Sequence, residues 1–201
     1  MKYLTILMSS LLLIAGCSGP HYSDFLPYTD EGILKPRVVV LPVEPCGDEA
    51  LGSRARYFNE AIRWIALDRN ELYLYSKVEV AENRYASSQQ DLFQKALCFR
   101  PADYVVQIEV LEDEVKPSSE VNAKSVIPVA GMKNRSVACV KLRVQVIDIR
   151  CQEGKVILYE IVERSLVLSS HPCQQYVPTS IYEELAVDAM NRIEEVIFCN
   201  R

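Results

Sequence analysis

The fold is set by a stretch of strictly alternating polarity, Val140-Lys141-Leu142-Arg143-Val144-Gln145-Val146. Successive side chains of a strand point to opposite faces of its sheet, so this pattern predicts a strand with one buried and one solvated face. A turn containing Gly154 follows, and residues 156–168 return with the same alternation. We therefore predict a long antiparallel β-hairpin over residues 137–168.

Strands and helices alternate on either side of this hairpin. The β-branched run at 37–43 predicts a buried strand, and residues 72–80 and 103–115 predict two more. Apolar residues at helical spacing predict a first helix that carries Phe58, Ala61, Ile62, Ile65 and Ala66, a second that carries Leu92, Phe93, Ala96 and Leu97, and a C-terminal one that carries Ile181, Leu185, Ala189, Ile193, Val196 and Ile197. The order β-α-β-α-β-β-β-α predicts an α+β sandwich of two or three layers. Its mixed sheet would have about five strands, with about three helices packed on it.

The amino terminus has the pattern of an export signal. Lys2 precedes an apolar stretch too short to span a bilayer permanently, and the small residues Ala15 and Gly16 come directly before Cys17. The run from 13 to 17 resembles the lipobox of bacterial lipoproteins. That resemblance implies removal of residues 1–16 and attachment of acyl chains to Cys17; the alternative is an ordinary secretory peptide with an incidental cysteine.

This resemblance also predicts the organisation and location of the mature protein. We expect residues 17–36 to form a lipidated tether and residues 37–201 a single domain. Ser18 follows the cysteine where aspartate would be the inner-membrane retention signal of many lipoproteins. The expected location is therefore the periplasmic face of the outer membrane, with the protein held there by its lipid.

Charge and glycine content exclude several classes of ligand. The formal net charge is −5, and loss of the +1 of Lys2 makes the mature chain −6. Nucleic-acid binding depends on clustered Lys and Arg, so no nucleic-acid partner is expected. The glycines form no phosphate-binding loop, and no cofactor is predicted.

Six cysteines follow Cys17, and outside the cytoplasm such a set can form disulfides. The candidates are Cys46, Cys98, Cys139, Cys151, Cys173 and Cys199. None of the spacings gives a C-x-x-C pair, so no metal site is predicted. Cys98 and Cys139 lie in apolar segments, where a buried free thiol is the alternative to a crosslink.

No catalytic residue can be nominated. The two histidines, His21 and His171, lie in no recognisable motif, and a pairing of His171 with Cys173 is less expected than an ordinary surface loop. The predicted strand 103–115 carries several carboxylates, which leaves a paired-carboxylate site open. We predict a non-enzymatic protein; a cell-wall-acting enzyme with an unidentified site is one alternative.

The chain resembles a group of envelope proteins that includes the curli-secretion lipoprotein CsgG, the penicillin-binding-protein activator LpoB and the amino-terminal domain of TolB. The resemblance rests on residues 38–43, 101–106 and 140–148, although Pro101 and the turn 151–154 depart from the usual Gly-Ala-Asp and Thr-Gly-Glu. It implies a secretion subunit, an enzyme activator or an interaction module. The segment 116–136 has no aromatic residue for membrane-spanning hairpins, and the tether is short for an activator, so an interaction module is favoured.

The expected partner is another envelope protein or a second copy of this chain. The candidate contact is the loop 118–135, whose apolar residues are Val126, Ile127, Val129 and Met132. The alternative is a loop that is disordered or folds back on the domain.

Overall fold

The structure is a computed structural model that describes residues 24–43, 49–81, 88–117, 135–151, 153–168 and 177–200, with the backbone alone at 49–53. Several predicted features lie outside these ranges. They are the signal peptide, the lipidation site Cys17, the loop residues Val126, Ile127, Val129 and Met132, and both histidines.

The described chain contains five strands and four helices, and the predicted α+β class is confirmed. The strands are β1 (Arg37–Val40), β2 (Tyr73–Tyr75), β3 (Tyr104–Pro117), β4 (Ser136–Asp148) and β5 (Lys155–Val167). The helices are α1 (Glu49–Arg69), α2 (Lys77–Val80), α3 (Gln89–Cys98) and α4 (Thr179–Cys199). The element order is the predicted one, with α2 added after β2.

The added helix α2 shortens the strand predicted at 72–80, which was wrong beyond Tyr75. Ser76 caps α2: its hydroxyl accepts a hydrogen bond from the Glu79 backbone N–H at 3.1 Å. The Glu79 carboxylate accepts one from the Ser76 N–H at 2.6 Å. This reciprocal capping box satisfies two backbone donors at once and begins a helix where the apolar composition alone suggests a strand.

All five strands form one mixed sheet in the order β2-β1-β3-β4-β5. β1 pairs in parallel with β2 and β3, whereas β3, β4 and β5 are antiparallel neighbours. Val144 lies opposite Ile108 on one side and Glu160 on the other. The predicted long hairpin is therefore present as β4 and β5.

One face of the sheet, called here the helix face, is covered by α1 and α4. Its core joins Phe58 and Ile62 of α1, Leu185 and Ile193 of α4, and Val144 of β4, all buried. Burial of each such side chain stabilises the fold by about 1.5–3 kcal/mol before the entropy cost of ordering. The C-terminal helix thus covers one face of the sheet, as its apolar stripe predicts.

The other face, called here the open face, is covered at one end alone by the described elements. There, α2 and α3 pack against a smaller apolar cluster that includes Val39, Val105, Ile147, Leu92 and Ala96. Further along β3, β4 and β5, the same face carries charged side chains. The sandwich therefore has three layers at one end and two at the other.

Part of the predicted tether packs on the domain. Phe25 is buried in the same core as Val38, and Tyr28 forms a β-bridge with Leu34. Lys35 is almost fully buried, and its ammonium donates a hydrogen bond to Asn70 Oδ1 at 2.5 Å. Burial lowers the Lys35 pKa. The residues from Phe25 onward therefore belong to the folded unit, because apolar and paired groups leave water there.

Four of the cysteines predicted to form disulfides are free thiols in the structure: Cys98, Cys139, Cys151 and Cys199. Cys139 is buried on β4, within 3.7 Å of the Ser165 hydroxyl, which fits the alternative of a small buried hydrophobe. Cys98 is exposed instead. Cys46 and Cys173 lie outside the described residues.

Candidate interaction surface

The outer edge of β5 is the most prominent candidate site. β5 is 13 residues long, and within the described residues its one partner strand is β4. Every second residue on the outer side of such a strand presents a backbone N–H and C=O that no described strand pairs. A row of such groups is a template for the addition of another strand.

Apolar side chains lie on the open face beside this edge. The exposed fractions are 48% for Val156, 59% for Tyr159 and 53% for Ile161. The Arg143 guanidinium lies over the Tyr159 ring, 5.5 Å from its centroid, and holds the ring beside the edge. The edge thus combines unpaired backbone with apolar surface that another protein could bury.

Ion pairs cover the rest of the open face. Arg143 Nη1 lies 2.7 Å from a Glu109 carboxylate oxygen, and Lys141 Nζ lies 3.3 Å from one of Glu163. Lys116 lies 2.7 Å from Glu114 and 3.0 Å from Glu112, which together raise its pKa. The Arg143–Glu109 and Lys141–Glu163 pairs join neighbouring strands, whereas the Lys116 pairs lie within β3. Together they keep charged side chains paired on a part of the sheet that no described element covers.

The same pairs bear on the acid–base chemistry left open by the sequence. The carboxylates of Glu109, Glu112 and Glu114 each lie beside a lysine or arginine. Asp113 points to the helix face instead, where its carboxylate accepts a hydrogen bond from Arg54 Nη1 at 3.1 Å. None of these side chains forms a carboxylate pair over a cleft.

Asp113 belongs to a buried polar cluster whose members come from three elements. Arg54 comes from α1, Asp113 from β3 and the buried Tyr182 from α4. Burial raises the pKa of Tyr182, and the neighbouring Asp113 raises it further, so the phenol stays neutral. The Arg54–Asp113 ion pair links α1 to β3, whereas the Tyr182 hydroxyl has no hydrogen-bond partner among the described residues.

On the helix face, charged side chains line a groove of about 520 Å³ between β5 and α4. Arg164 Nη2 lies 2.6 Å from Asp188 Oδ2, and its Nε lies 3.6 Å from a Glu184 carboxylate oxygen. Arg192 Nε lies 3.5 Å from a Glu160 carboxylate oxygen. The charges of β5 are thus held in place by α4, immediately beside the free edge.

A second groove, of about 350 Å³, lies between α1 and α4 on their outer side. It is mainly apolar, with Ala61, the exposed Trp64 and Val187 in its lining. The Tyr57 hydroxyl donates a hydrogen bond to Glu183 across it, and that bond raises the Tyr57 pKa. Trp64 and Tyr57 both lie on the side of α1 that lines this groove.

Within the described ranges, no group of three or more His, Cys, Asp and Glu side chains is arranged to hold a metal ion. None of the helices in the same ranges is both long and apolar enough to cross a membrane.

The sequence did not single out the β5 edge as a site. Tyr159 and Ile161 are large apolar residues on the solvated face of β5, and they are the signal that could have identified the edge. The position of β5 at the end of the sheet depends on long-range pairing, which a local pattern does not report.

Comparisons with known proteins place the chain in a family and confirm its fold. Residues 24–184 match the sequence model described as "Family of unknown function (DUF7499)". A hypothetical protein from Chlamydia trachomatis is similar, with 20% identity and a TM-score of 0.53 over 81% of this chain and 98% of that one. No curated protein matches the sequence.

Two further solved structures are more distant. A lipoprotein from Neisseria meningitidis has 14% identity and a TM-score of 0.46 over 80% of this chain and 99% of that one. A minor lipoprotein from Acinetobacter baumannii has 9% identity and a TM-score of 0.41 over 78% and 91%. The finer resemblance to CsgG, LpoB and TolB is not confirmed by these structures and stays a prediction.

Proposed function

We propose that this chain, which belongs to the family of unknown function DUF7499, is a lipid-anchored envelope protein that binds another protein through the free edge of β5. The observation that carries the proposal is the 13-residue outer edge of β5, which no described strand pairs and which exposed Val156, Tyr159 and Ile161 flank. The role is one of interaction or assembly, without catalysis.

The anchor part of the proposal rests on the sequence before the domain. Cys17 follows a signal-like stretch, and residues 18–24 separate it from Phe25, which is buried in the core of the domain. At 3.3–3.6 Å per residue, that segment reaches roughly 20–25 Å. A domain on so short a tether meets partners within the same membrane surface, which suits an assembly role at the periplasmic face of the outer membrane.

The binding part rests on how sheet edges are normally protected. Soluble proteins shorten edge strands, place proline in them or cover them, because an exposed edge invites pairing with another chain. β5 is long, contains no proline between Lys155 and Val167, and carries exposed apolar side chains. Strand addition offers backbone hydrogen bonds for affinity and side-chain contacts for specificity.

The experiment compares two lysine substitutions in the full chain, expressed in its native envelope. Ile161→Lys alters the β5 edge, and Val78→Lys is the matched control on α2; the exposed fractions of the two residues are 53% and 58%. After gentle crosslinking in intact cells, we expect wild type and Val78→Lys to yield the same crosslinked species. Ile161→Lys should lose it because a charge would replace apolar surface beside the incoming strand.

Membrane fractionation of Cys17→Ser tests the anchor separately. Wild type should sediment with the outer membrane and carry acyl mass, whereas the variant should carry none. If Ile161→Lys folds and keeps the full set of crosslinked species, β5 is not the binding edge. A wild-type protein without acyl mass on Cys17 would overturn the lipid anchor.

A further inference from the structure

We propose that the strand which pairs with β5 is β5 of a second copy of this chain, antiparallel and centred on Val162; this inference rests on the proposed function. The observation behind it is that the side chains on the helix face of β5 are chemically complementary about Val162. Outward from Val162, that face carries Glu160 and then Leu158 in one direction, and Arg164 and then Leu166 in the other.

An antiparallel pair related by a two-fold axis at Val162 brings complementary side chains together. Each residue meets the one equally far on the other side of Val162. Glu160 of each copy then faces Arg164 of the other, and Leu158 faces Leu166. Opposite charges and apolar pairs directly across a strand pair stabilise a sheet, whereas like charges oppose it.

Neighbouring registers lose this complementarity. A continuous sheet must keep its helix face on one side, so the axis must pass through a residue position. With the axis at Ile161, Arg164 would face Leu158 and Glu160 would face Val162. With the axis at Glu163, Glu160 would face Leu166. Both shifts leave charges of the helix face opposite aliphatic groups, so the side chains of that face favour Val162 as the centre.

Glu160 and Arg164, the charged residues that would pair across the two-fold axis, already form ion pairs within each copy. Arg164 lies 2.6 Å from Asp188, and Glu160 lies 3.5 Å from Arg192, both partners being on α4. These contacts keep each strand charge on the helix face beside the edge. An incoming strand would extend existing ion pairs into a network, with less side-chain entropy to lose than for free side chains.

The open face is compatible with the same axis. Ile161 would lie directly opposite Glu163 of the second copy and diagonal to its Ile161. Diagonal neighbours in a sheet are within reach of large side chains. The exposed Tyr159 and Ile161 of the two copies would therefore form one apolar patch across the axis, flanked by the two Arg143 side chains.

Such an interface closes on itself. The same strand of both copies is used, so the contact is isologous and consumes the free edge of each. The opposite edge of the sheet is β2, with 3 residues. The expected assembly is a dimer with a continuous ten-stranded sheet, derived from two sheets of 5 strands each.

The test is a charge swap in the full-length mature protein in detergent, measured by sedimentation velocity. Glu160→Arg and Arg164→Glu each replace two attractive pairs by two repulsive ones in a homodimer. We expect each to raise the dimer dissociation constant by at least about tenfold, a change of 1.4 kcal/mol. Glu60→Arg, an equal reversal on α1, is the matched control and should dimerise like wild type.

Mixing the two variants is the decisive step. In a mixed dimer, the Glu160→Arg chain has a positive charge at both positions of β5, and the Arg164→Glu chain has a negative charge at both. Each cross-strand contact between positions 160 and 164 then joins opposite charges, so attraction returns in both pairs. We expect an equimolar mixture to recover dimer that neither variant forms alone. This recovery also shows that both variants are folded, since a misfolded chain would not be rescued.

A second variant keeps the test valid if reversed charges disturb folding. Val162→Cys places a thiol directly opposite its own copy, and oxidation with diamide should yield a peptide that contains residue 162 twice. Val156→Cys, six residues from the proposed axis, would lie far from its own copy and should not yield the corresponding self-linked peptide.

The outcomes separate this inference from the proposed function. A monomer whose β5 edge crosslinks to a different protein overturns self-pairing and leaves the proposed function intact. A monomer with no edge-dependent partner overturns both. A wild-type dimer that tolerates both charge reversals, with no self-linked peptide at Val162→Cys, places the interface elsewhere and overturns the inference.

Discussion

The two edge strands of the sheet, β2 and β5, differ in their length and in the side chains that lie beside them. β2 is 3 residues long and ends at once in the capping box of Ser76. Its Tyr75 ring packs edge-on against Tyr73 and Phe99, with centroids 5.0 Å apart in both pairs. β5 is 13 residues long and has exposed apolar neighbours.

This contrast indicates that the β2 edge is protected against strand pairing, whereas the β5 edge is accessible to it. The β2 edge is shortened, which is a common way in which proteins limit edge-to-edge association. At β5, the charges of Glu160, Glu163 and Arg164 are paired with α4 or β4, so they do not act as isolated repulsive guards.

The largest effect should come from removal of the support under the β5 edge. Leu185 is fully buried on α4, which packs against β5. Leu185→Ala should lower the free energy of unfolding by about 2–5 kcal/mol, through lost burial and a residual cavity. Urea unfolding measures this. Val187→Ala, on the exposed side of the same helix, is the control, and an equal loss for the two variants would contradict the packing described.

A smaller effect is expected at the protected edge. Ser76→Ala removes the hydroxyl that caps α2 and should reduce stability by about 1 kcal/mol. Val78→Ala, two residues further on at an exposed position, keeps the cap and should change stability little. Hydrogen exchange should show faster opening of residues 76–80 in Ser76→Ala alone. Unchanged exchange there would show that the capping box does not end β2.

The turn that leads into β5 should make a pH-dependent contribution. Arg150 hydrogen-bonds Asp148, and this contact holds the Asp148 pKa below its ordinary value of 3.8. The resulting stability is present above that value and is lost as the pH falls through the lowered pKa. Because Arg150 is well exposed, the contribution should be below about 1 kcal/mol.

The measurement compares unfolding free energies at pH 5 and pH 2. Asp148→Asn should lose less stability than wild type over this interval, because the titrating group is absent. Glu153→Gln, in the same turn, is the control and should follow wild type. An equal or greater acid loss in Asp148→Asn would contradict the sign of the shift.

The smallest change in stability is expected at the free edge itself. Ile161→Lys should alter the free energy of unfolding by less than about 0.5 kcal/mol, as is usual for an exposed position, while it abolishes association. This divergence between stability and binding marks an interaction surface. A large loss of stability would instead mean that Ile161 is part of the packing of the monomer.

Local sequence patterns predicted the strands and helices better than they predicted which of these elements lie next to each other. Alternation in residues 137–168 predicted the hairpin because a period of two is dictated by strand geometry. The residue pair Ser76 and Glu79 was a readable helix start, yet the Tyr-Leu-Tyr composition before it favoured a longer strand. The packing of Phe25 depends on contacts with residues distant in the sequence, which a local pattern does not report. The sequence therefore predicted a tether that extends to residue 36.

The interaction site was harder to predict because it depends on strand order. The sequence directed attention to Val126, Ile127, Val129 and Met132, an apolar run that lies outside the described residues, so its role stays a prediction. Which of five strands ends the sheet follows from non-local pairing, and the exposure of Tyr159 and Ile161 follows from that. Cys17, in contrast, was predicted from a local motif that needs no fold.

Hydrogen exchange of the β5 backbone in the native, membrane-bound protein tests the central claim most directly. If β5 pairs with another strand, its outward-facing amides should exchange slowly in wild type and at least about tenfold faster in Ile161→Lys, while amides bonded to β4 stay unchanged. Equally fast exchange of the outward-facing amides in both proteins would show that the edge is unpaired and would contradict the account.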